Sequence, residues 1–361
     1  MKKALLISCE GLGNGGVQAV MMSIVRNLVD KVSFDVVFFT KERRYYDDEV
    51  ESYGGNIFRF PTPDNPILAR FEFFLRGIRL YKGLKKILRE GNYDVIHCHN
   101  EFDGAFALKA AKKAGVPVRV MHTHVFNRKS KWYRNLFWKC CRKMINKYAT
   151  DKIGCSDRSC AALYGEDKDF LTVNNPYNSK KFLFCEKGKS QSPIFTQIGS
   201  ILENKNQSFS LEVISEIKRK YPDVHFNMLG NPGPYFKKIQ DKIETLGLSD
   251  NVEIYPHDAD SVALLCKSDF FLFPSKYEGF GIVAIEAQAV GVKVVASDTV
   301  PKAVDCGGVS FLPLSKGAKY WADFIINEFE NSGGIHKQYD CSEFAEENVI
   351  KSYEQIYFRE C

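Results

Sequence analysis

Along most of the chain, short apolar runs alternate with stretches whose apolar residues recur at helical spacing. Lys3–Ser8, Val32–Phe39 and Tyr93–His97 are short apolar runs typical of buried strands. Val17–Leu28 and Ile67–Arg89 instead carry apolar residues at the spacing of a helix face. Because strands and helices alternate, the pattern predicts parallel sheets with crossover helices.

The segment Asn174–Ser192 interrupts this alternation. It is polar and contains a Lys/Gly/Ser stretch, which is typical of a linker between domains. After it the alternation starts again, from a strand at Ile194–Ile198 to a last helix at Glu343–Tyr357. We therefore predict two doubly wound α/β domains, an N-terminal one over residues 1–180 and a C-terminal one over residues 190–340.

The composition is that of a globular protein. The chain has 361 residues, of which 45% are hydrophobic and 26% charged, so it is too long for one ordinary α/β core and is not disordered. No uninterrupted apolar run reaches the length of a membrane span, and Glu10 ends the apolar start without a signal-peptide cleavage site. The eleven cysteines show no CxxC or zinc spacing, so we expect reduced thiols in a cytoplasmic protein.

The net charge of +6 is unevenly distributed. Residues 1–175 hold 30 lysines and arginines against 19 acidic residues, whereas residues 176–361 hold 20 against 25.

Residues 128–147 include eight basic residues and no acidic one. Aromatic residues are interleaved with them at Trp132, Tyr133, Phe137 and Trp138. A basic and aromatic helix predicts peripheral contact with an anionic membrane. The alternative is a helix that packs on the sheet with a solvated basic face. Without a recognition motif, nucleic acid is not an expected partner.

The strongest local chemical signal is a turn that follows an apolar strand. The strand ends at Pro274, and Glu278-Gly-Phe-Gly281 then leads into a helix that contains Glu286. A helix start offers unpaired backbone N–H groups, and carboxylates accept hydrogen bonds from sugar hydroxyls. Since open α/β sheets bind ligands at the carboxyl ends of their strands, the two glutamates are candidate contacts for a polyhydroxylated ligand. The alternative is that Glu278 caps the helix and Glu286 lies on a solvated face.

Glu278 and Glu286, eight residues apart, resemble the EX7E motif of glycosyltransferase family 4. Other segments follow the order of that family: Gly15–Gln18, Asp94–Asn100, Gly115–His124, Gly154–Ser156, Asn174–Pro176, Gly199, Lys205–Gln207, Leu229–Gly230 and Asp269–Ser275. The resemblance covers nearly the full length and is closest to enzymes that build capsular and exopolysaccharide repeat units. It implies the GT-B fold, in which two Rossmann-like domains face each other across a cleft. Residues 343–361 are then a C-terminal helix that returns to the N-terminal domain.

The resemblance also implies an activity. A retaining enzyme would move a hexose-type sugar from a nucleotide-diphosphate donor, usually a UDP-sugar with GDP as the alternative, to a saccharide or lipid-linked acceptor. The implied catalytic residues are His122 near the reacting sugar, Lys205 at the diphosphate and Glu278 at the transferred sugar. The implied donor-binding residues are Gly16, Gly199, Ser200, Lys205, Gly230, Gly279, Phe280, Gly281, Ile282 and Glu286, the last at the ribose. No metal or other cofactor is implied, and the protein is expected in the cytoplasm, at the inner face of the membrane.

One position departs from the family pattern. Ser200 stands where the family usually has an arginine, so one of the two positive charges at the leaving group is missing. This departure leaves open a non-catalytic subunit that binds a nucleotide sugar. A sugar-nucleotide epimerase, which would need no acceptor, is another alternative, and Lys205 could instead be a surface lysine at a helix start.

Overall fold

The computed structural model describes residues 1–8, 11–13, 15–61, 66–124, 132–166 and 169–359, without the side chains of 66–74, 101, 132 and 133. The chain divides into two compact units. The first comprises Met1–Pro176 and Glu346–Cys361, and the second comprises Tyr177–Ala345. The last helix thus belongs to the first unit, and residues 177–189 belong to the second.

The first unit is built on a seven-stranded parallel sheet. Its strands are β1 (Lys2–Ile7), β2 (Val32–Phe38), β3 (Ile57–Arg59), β4 (Val95–Cys98), β5 (Val118–Thr123), β6 (Asp151–Gly154) and β7 (Leu171–Thr172). They lie in the order β3-β2-β1-β4-β5-β6-β7, and Leu6 of β1 pairs with Val36 on one side and His97 on the other. The helices of this unit are α1 (Gly16–Leu28), α2 (Asp47–Ser52), α3 (Pro66–Gly91), α4 (Glu101–Ala114), α5 (Trp132–Tyr148), α6 (Asp157–Tyr164) and the last helix of the chain, Glu346–Phe358.

Both faces of this sheet are buried, which explains why its strands are apolar runs rather than alternating ones. Ala4 and Leu6 face a cluster that includes α1 and the last helix, where Tyr353 and Tyr357 are fully buried. Leu5 and Ile7 face the opposite cluster, which includes α3, α4 and α5. Helices therefore cover the sheet on both sides, as in a doubly wound fold.

The second unit is a six-stranded parallel sheet with the same kind of winding. Its strands are β8 (Ile194–Ile198), β9 (His225–Leu229), β10 (Val252–Tyr255), β11 (Phe270–Phe273), β12 (Lys293–Ser297) and β13 (Val309–Leu312). Their order is β10-β9-β8-β11-β12-β13. Its helices are α7 (Gln207–Lys218), α8 (Phe236–Thr245), α9 (Ser261–Lys267), α10 (Ile282–Ala289) and α11 (Gly317–Ser332), after which the helix Glu346–Phe358 of the first unit is α12. The core is dominated by aromatic and aliphatic side chains around the fully buried Trp321.

Some elements are absent from the sequence-based prediction. The short helices α2 and α6 and the strand β13 have too few residues to show a clear period. The helix predicted at Glu343–Tyr357 is divided into a 3₁₀ turn at Ser342–Phe344 and α12. The division coincides with the boundary between the two units.

The segment predicted as a linker contains no regular element between β7 and β8. Its second half is nevertheless fixed to the second unit, because Lys187 forms an ion pair with the buried Asp269. Cys185 forms a disulfide with Cys266, so the expectation of reduced thiols was wrong for these two cysteines. In the parts of the chain described above, no helix combines the length and apolar character needed to cross a bilayer.

Candidate active site

Each sheet reverses its strand order at one point. The reversal lies between β1 and β4 in the first unit and between β8 and β11 in the second. In open α/β sheets, ligands bind outside the carboxyl ends of the strands at such a reversal. The segments that leave β8 and β11 carry Lys205 and Glu278. Gly16 follows β1, and four histidines lie at the carboxyl ends of β4 and β5.

The segment that follows β8 is held in a tight backbone conformation. Gly199 has a φ of 145°, where glycine is favoured, and its N–H donates to the carbonyl of Leu229 at 2.8 Å. A side chain at position 230 would collide with the carbonyl of Gly199, so packing within this unit requires glycine at 230, whereas the φ requires it at 199. The side chain of Gln207 donates to the carbonyls of Gly199 and Ser200, at 3.3 and 3.1 Å. These bonds position the 3₁₀ turn Glu203–Lys205 that carries Lys205.

The turn that follows β11 is tied to its neighbours by buried hydrogen bonds. The hydroxyls of Ser297 and Thr299 both donate to the carbonyl of Ser275, at 2.5 and 2.6 Å. The N–H of Lys276 donates to the carbonyl of Asn204 at 2.7 Å, which joins this turn to the segment after β8. Asn206, in the left-handed conformation with a φ of 57°, donates from its side chain to the carbonyl of Pro274 at 3.1 Å.

These backbone contacts bring the two charged candidates together. Lys205 Nζ lies 2.7 Å from Glu278 Oε1, and the two side chains are only 21% and 10% exposed. The Ser275 hydroxyl donates to the same carboxylate oxygen at 2.6 Å. The pair therefore offers an ammonium and a carboxylate side by side, in surroundings that screen charge less than bulk water does.

The residues between Glu278 and α10 provide backbone donors. Phe280 is buried, with its ring 5.8 Å from that of Phe344. Gly281 has a φ of 111°, and a Cβ there would lie 2.9 Å from the ring of Phe273. No residue that the structure describes accepts a hydrogen bond from the N–H of Phe280 or Gly281. Because Ile282 begins α10, these donors lie at the positive end of a helix dipole. Gly279 stands between Glu278 and this pair of donors.

Glu286 is not part of the ion pair. It lies on α10 and is half-buried, and no contact among the described residues joins it to Lys205 or Glu278. Burial raises the pKa of its carboxyl to about 7, although the nearby ammonium of Lys181 lowers it. Its carboxylate accepts no hydrogen bond from the described residues, so it has free acceptor capacity. This burial excludes the alternative of a fully solvated face for Glu286.

In the first unit, Gly16 begins α1 and has open space where a side chain would be. Its φ is not in the left-handed region, so neither packing nor backbone conformation within the described residues requires glycine here. The family resemblance implies that the backbone at Gly16 closely approaches a ligand. This role stays a prediction, and the described residues give no other structural reason for a glycine at this position.

His122, at the end of β5, belongs to a buried cluster that sequence reasoning did not predict. Its ring lies 4.0 Å from that of His124, 5.0 Å from His99 and 5.4 Å from His97, measured between centroids. Burial lowers the pKa of His97 and of His124 to about 3, and that of His99 and His122 well below its usual value. All four imidazoles are therefore neutral at pH 7.

A sequence signal for this cluster exists in two His-x-His pairs at the ends of neighbouring strands. His97 and His99 mark the end of β4, and His122 and His124 mark the end of β5. In a strand, residues two apart face the same side, so each pair presents both rings to one face. One ring nitrogen from each of His97, His99 and His122 lies within 4.8 Å of the others, a spacing that could hold a metal ion and that the sequence did not predict.

The basic helix predicted at 128–147 is only partly described, since 128–131 lie outside the described residues. In the rest of α5, the ring of Trp138 packs at 4.7 Å from Phe102, and Phe137 contacts Phe106. Phe137 and Trp138 thus face the core, while lysines face solvent at Lys139, Lys143 and Lys147.

Comparison with known proteins finds similarity to glycosyltransferases in both units of the chain. A sequence model described as Glycosyltransferase Family 4 matches residues 14–161, and one described as Glycosyl transferases group 1 matches residues 179–305. EpsF of Bacillus subtilis (strain 168), which is named as a glycosyltransferase, is 27% identical over 351 residues, covering 90% of this chain and 87% of that protein. An Escherichia coli UDP-Gal:alpha-D-GlcNAc-diphosphoundecaprenol alpha-1,3-galactosyltransferase is 27% identical over 310 residues, covering 78% and 76%.

Solved structures show the same fold. The structure of HepE from Anabaena, in complex with UDP and glucose, superposes with a TM-score of 0.76 at 17% identity and covers 98% of this chain and 99% of that one. At this identity the likeness shows the fold alone, two parallel-sheet α/β domains of the GT-B type. The two sequence models together cover most of the chain, which therefore carries the domains described as Glycosyltransferase Family 4 and Glycosyl transferases group 1 and is a glycosyltransferase.

Proposed function

We propose that this enzyme moves a hexose-type sugar from a UDP-sugar to a saccharide or lipid-linked saccharide, with retention of anomeric configuration, in surface polysaccharide synthesis. The observation that carries the proposal is the ion pair of Lys205 and Glu278 at the carboxyl ends of β8 and β11. The segment after Glu278 adds the N–H groups of Phe280 and Gly281, which no described residue accepts, and Gly199 and Gly230 approach each other closely.

The choice of donor and acceptor is supported by similar proteins. HepE, which shares the fold, was solved with UDP and glucose, and the Escherichia coli relative is named for UDP-galactose and a sugar linked to diphosphoundecaprenol. These properties belong to those proteins. They favour a uridine diphosphate donor over the guanosine alternative and a lipid-linked saccharide among the acceptors.

Lys205 is proposed as the cation that stabilises the diphosphate leaving group. When the bond between the anomeric carbon and the diphosphate oxygen breaks, negative charge develops on that oxygen, and an ammonium already in place stabilises it. Because Ser200 carries no charge, Lys205 would supply this stabilisation without the second cation that is usual in the family, and without a metal ion. The acceptor oxygen then bonds to the anomeric carbon on the same face, and its proton passes to the departing phosphate oxygen.

Glu278 and Glu286 are proposed as acceptors for hydroxyl groups of the donor. Glu278 has one oxygen engaged by Lys205 and Ser275, and no described residue bonds its second oxygen, which can accept from the transferred sugar. Glu286 has no hydrogen-bond donor among the described residues, which suits an acceptor for the ribose hydroxyls. Sugar recognition and charge stabilisation would thus come from adjacent side chains of one unit.

Contact with an anionic membrane is proposed for one side of the first unit. Helices α3 and α5 lie on the same face of the sheet, each packed against α4. Exposed basic residues cover both helices at Lys82, Lys85, Lys86, Arg89, Lys139, Lys143 and Lys147. Among them, Ile78 and Leu136 are 44% and 60% exposed, so cations and apolar side chains occur on one surface. A lipid-linked acceptor would be reached from such a surface.

Replacing Lys205 with methionine keeps the apolar stem and removes the charge. We expect kcat to fall about 100-fold or more, since one electrostatic donor at a transition state is typically worth that much. The assay incubates the protein with UDP-galactose or UDP-glucose and a diphosphate-linked N-acetylglucosamine lipid, and it detects the glycosylated lipid.

Lys319→Met is the matched control, because Lys319 is 74% exposed in a pair with Asp323 on α11. Its kcat should equal that of the wild type. Equal rates for Lys205→Met and Lys319→Met would refute the role of Lys205. An epimerised donor formed without acceptor would favour the epimerase, and donor binding without turnover with any acceptor would favour a non-catalytic subunit.

Glu286→Gln tests the acceptor role through pH. Burial raises the pKa of Glu286 to about 7, so the carboxylate that accepts a ribose hydroxyl is mostly protonated at pH 6 and mostly ionised at pH 8. Wild-type affinity for UDP-glucose should therefore rise about tenfold from pH 6 to pH 8, the change in the ionised fraction of such a group. Calorimetry should show a weaker and pH-independent affinity for Glu286→Gln. The same pH dependence in both proteins would remove Glu286 from the donor site.

Vesicle sedimentation tests the membrane surface. The wild type should bind vesicles that contain an anionic phospholipid and should not bind neutral ones. Lys139→Glu/Lys143→Glu should weaken binding about tenfold or more, because each basic residue near an anionic surface contributes roughly 1 kcal/mol. Lys237→Glu/Lys319→Glu, on exposed lysines of the second unit, is the control for net charge. Equal sedimentation with both kinds of vesicle would contradict the proposal.

A further inference from the structure

The four histidines of the first unit have more polar atoms than partners. Five of their ring nitrogens are buried without a hydrogen-bond partner among the described residues, namely Nε2 of His97, Nε2 of His99, both nitrogens of His122 and Nδ1 of His124. His97 and His122 are fully buried, and His99 is 6% exposed. Because leaving a buried polar group unpaired costs about 1–3 kcal/mol, five such nitrogens in one cluster indicate a bound partner.

The hydrogen bonds of His97 and His99 leave the second ring nitrogen of each histidine available to ligate a metal ion. His97 Nδ1 lies 2.7 Å from the Tyr357 hydroxyl oxygen, and His99 Nδ1 lies 3.0 Å from His124 Nε2. When each Nδ1 carries the proton and donates it, each Nε2 is left unprotonated. Metal-binding histidines use this arrangement, in which one ring nitrogen donates to a second partner and the other ligates the ion.

The distances are close to those of a coordination sphere. One nitrogen from each of His97, His99 and His122 lies within 4.8 Å of the others. Two nitrogens on one tetrahedral zinc ion are about 3.4 Å apart, given zinc–nitrogen bonds of about 2.0–2.1 Å. Small rotations of the rings would bring the three nitrogens to that spacing.

We propose that His97, His99 and His122 form a binding site for a divalent transition metal ion, zinc first among them. Three imidazoles without a carboxylate favour zinc, copper, nickel or cobalt over magnesium, calcium or manganese. The hydroxyl of Tyr353 is also buried without a partner, and its ring lies 6.0 Å from His97 and 5.9 Å from His122. It is placed to bond a water molecule on the ion. Since His122 has two free nitrogens, it can ligate through one and keep the other for substrate.

Such an ion would join parts of the chain that are far apart in sequence. His97 lies in β4 and His99 directly after it, His122 lies near the end of β5, and Tyr357 holds His97 from α12. The ion would therefore fix the carboxyl edge of the sheet to the last helix. The inference does not rest on the proposed sugar transfer, because its test measures metal binding and not activity.

The test uses the full-length protein after removal of metals by dialysis against a chelator. Titration with Co²⁺, followed by the visible absorption of tetrahedral cobalt, should saturate at one ion per chain, and Zn²⁺ should displace the signal. His97→Ala and His99→Ala should each weaken binding about 100-fold, whereas His225→Ala, in the second unit, should bind as the wild type does. Tyr357→Phe, which keeps all three ligands, should weaken binding about tenfold, since second partners of ligating histidines typically contribute 10–100-fold.

Zinc should also raise the thermal unfolding midpoint of the wild type and of His225→Ala, but not of His97→Ala/His99→Ala. If an alanine variant does not fold, the proposal is tested by the Co²⁺ stoichiometry of the wild type and by the Co²⁺ affinity of Tyr357→Phe. Absence of a stoichiometric cobalt signal in the wild type would overturn the proposal and would mean that water satisfies the free nitrogens. Equal affinity in the wild type and the doubly substituted variant would overturn it as well.

Discussion

The attraction between Lys205 and Glu278 is the interaction on which the proposed site depends. Each side chain is largely withdrawn from water, and either charge alone would be costly in that position. The pair forms only because β8 and β11 are neighbours in the sheet and because the segments after them are joined by the bond from Lys276 N–H to Asn204. A ligand that carries both a phosphate group and hydroxyls can give Lys205 and Glu278 new partners at the same time. The ammonium then meets an anion, and the carboxylate meets a hydroxyl.

The rest of the second unit serves to hold these two segments. Glycine is required at 199 by its φ and at 230 by the backbone that passes against it. Gln207 ties down the carbonyls of Gly199 and Ser200 from the start of α7, and Ser297 and Thr299 fix the carbonyl of Ser275 from the end of β12. Such buried and fully bonded networks leave the charged side chains as the groups that can exchange partners with a ligand.

The sequence was sufficient for the α/β class and for most of the elements, because buried parallel strands and amphipathic helices have distinct periods. The sequence also singled out Lys205, Glu278 and Glu286; the structure places Lys205 beside Glu278, and the roles of all three stay predictions. The sequence did not reveal that Ser275, Asn206 and Thr299 support them, since their contacts depend on strand order. The two His-x-His pairs are visible in the sequence, but their union into one cluster depends on the same strand order. The tyrosine that holds His97 lies on the last helix, 260 positions further along the chain. The disulfide of Cys185 likewise joins residues 81 positions apart that carry no spacing signal.

The most direct measurement of the central claim is a double-mutant cycle on kcat/KM for the UDP-sugar donor, with Lys205→Met, Glu278→Gln and the protein that carries both changes. If the two side chains act together on one bound donor, their effects are not additive, and the double variant should lose little more than the more damaging single change. Losses that multiply would mean that the residues act independently. Single variants with wild-type kcat/KM would mean that the donor binds elsewhere.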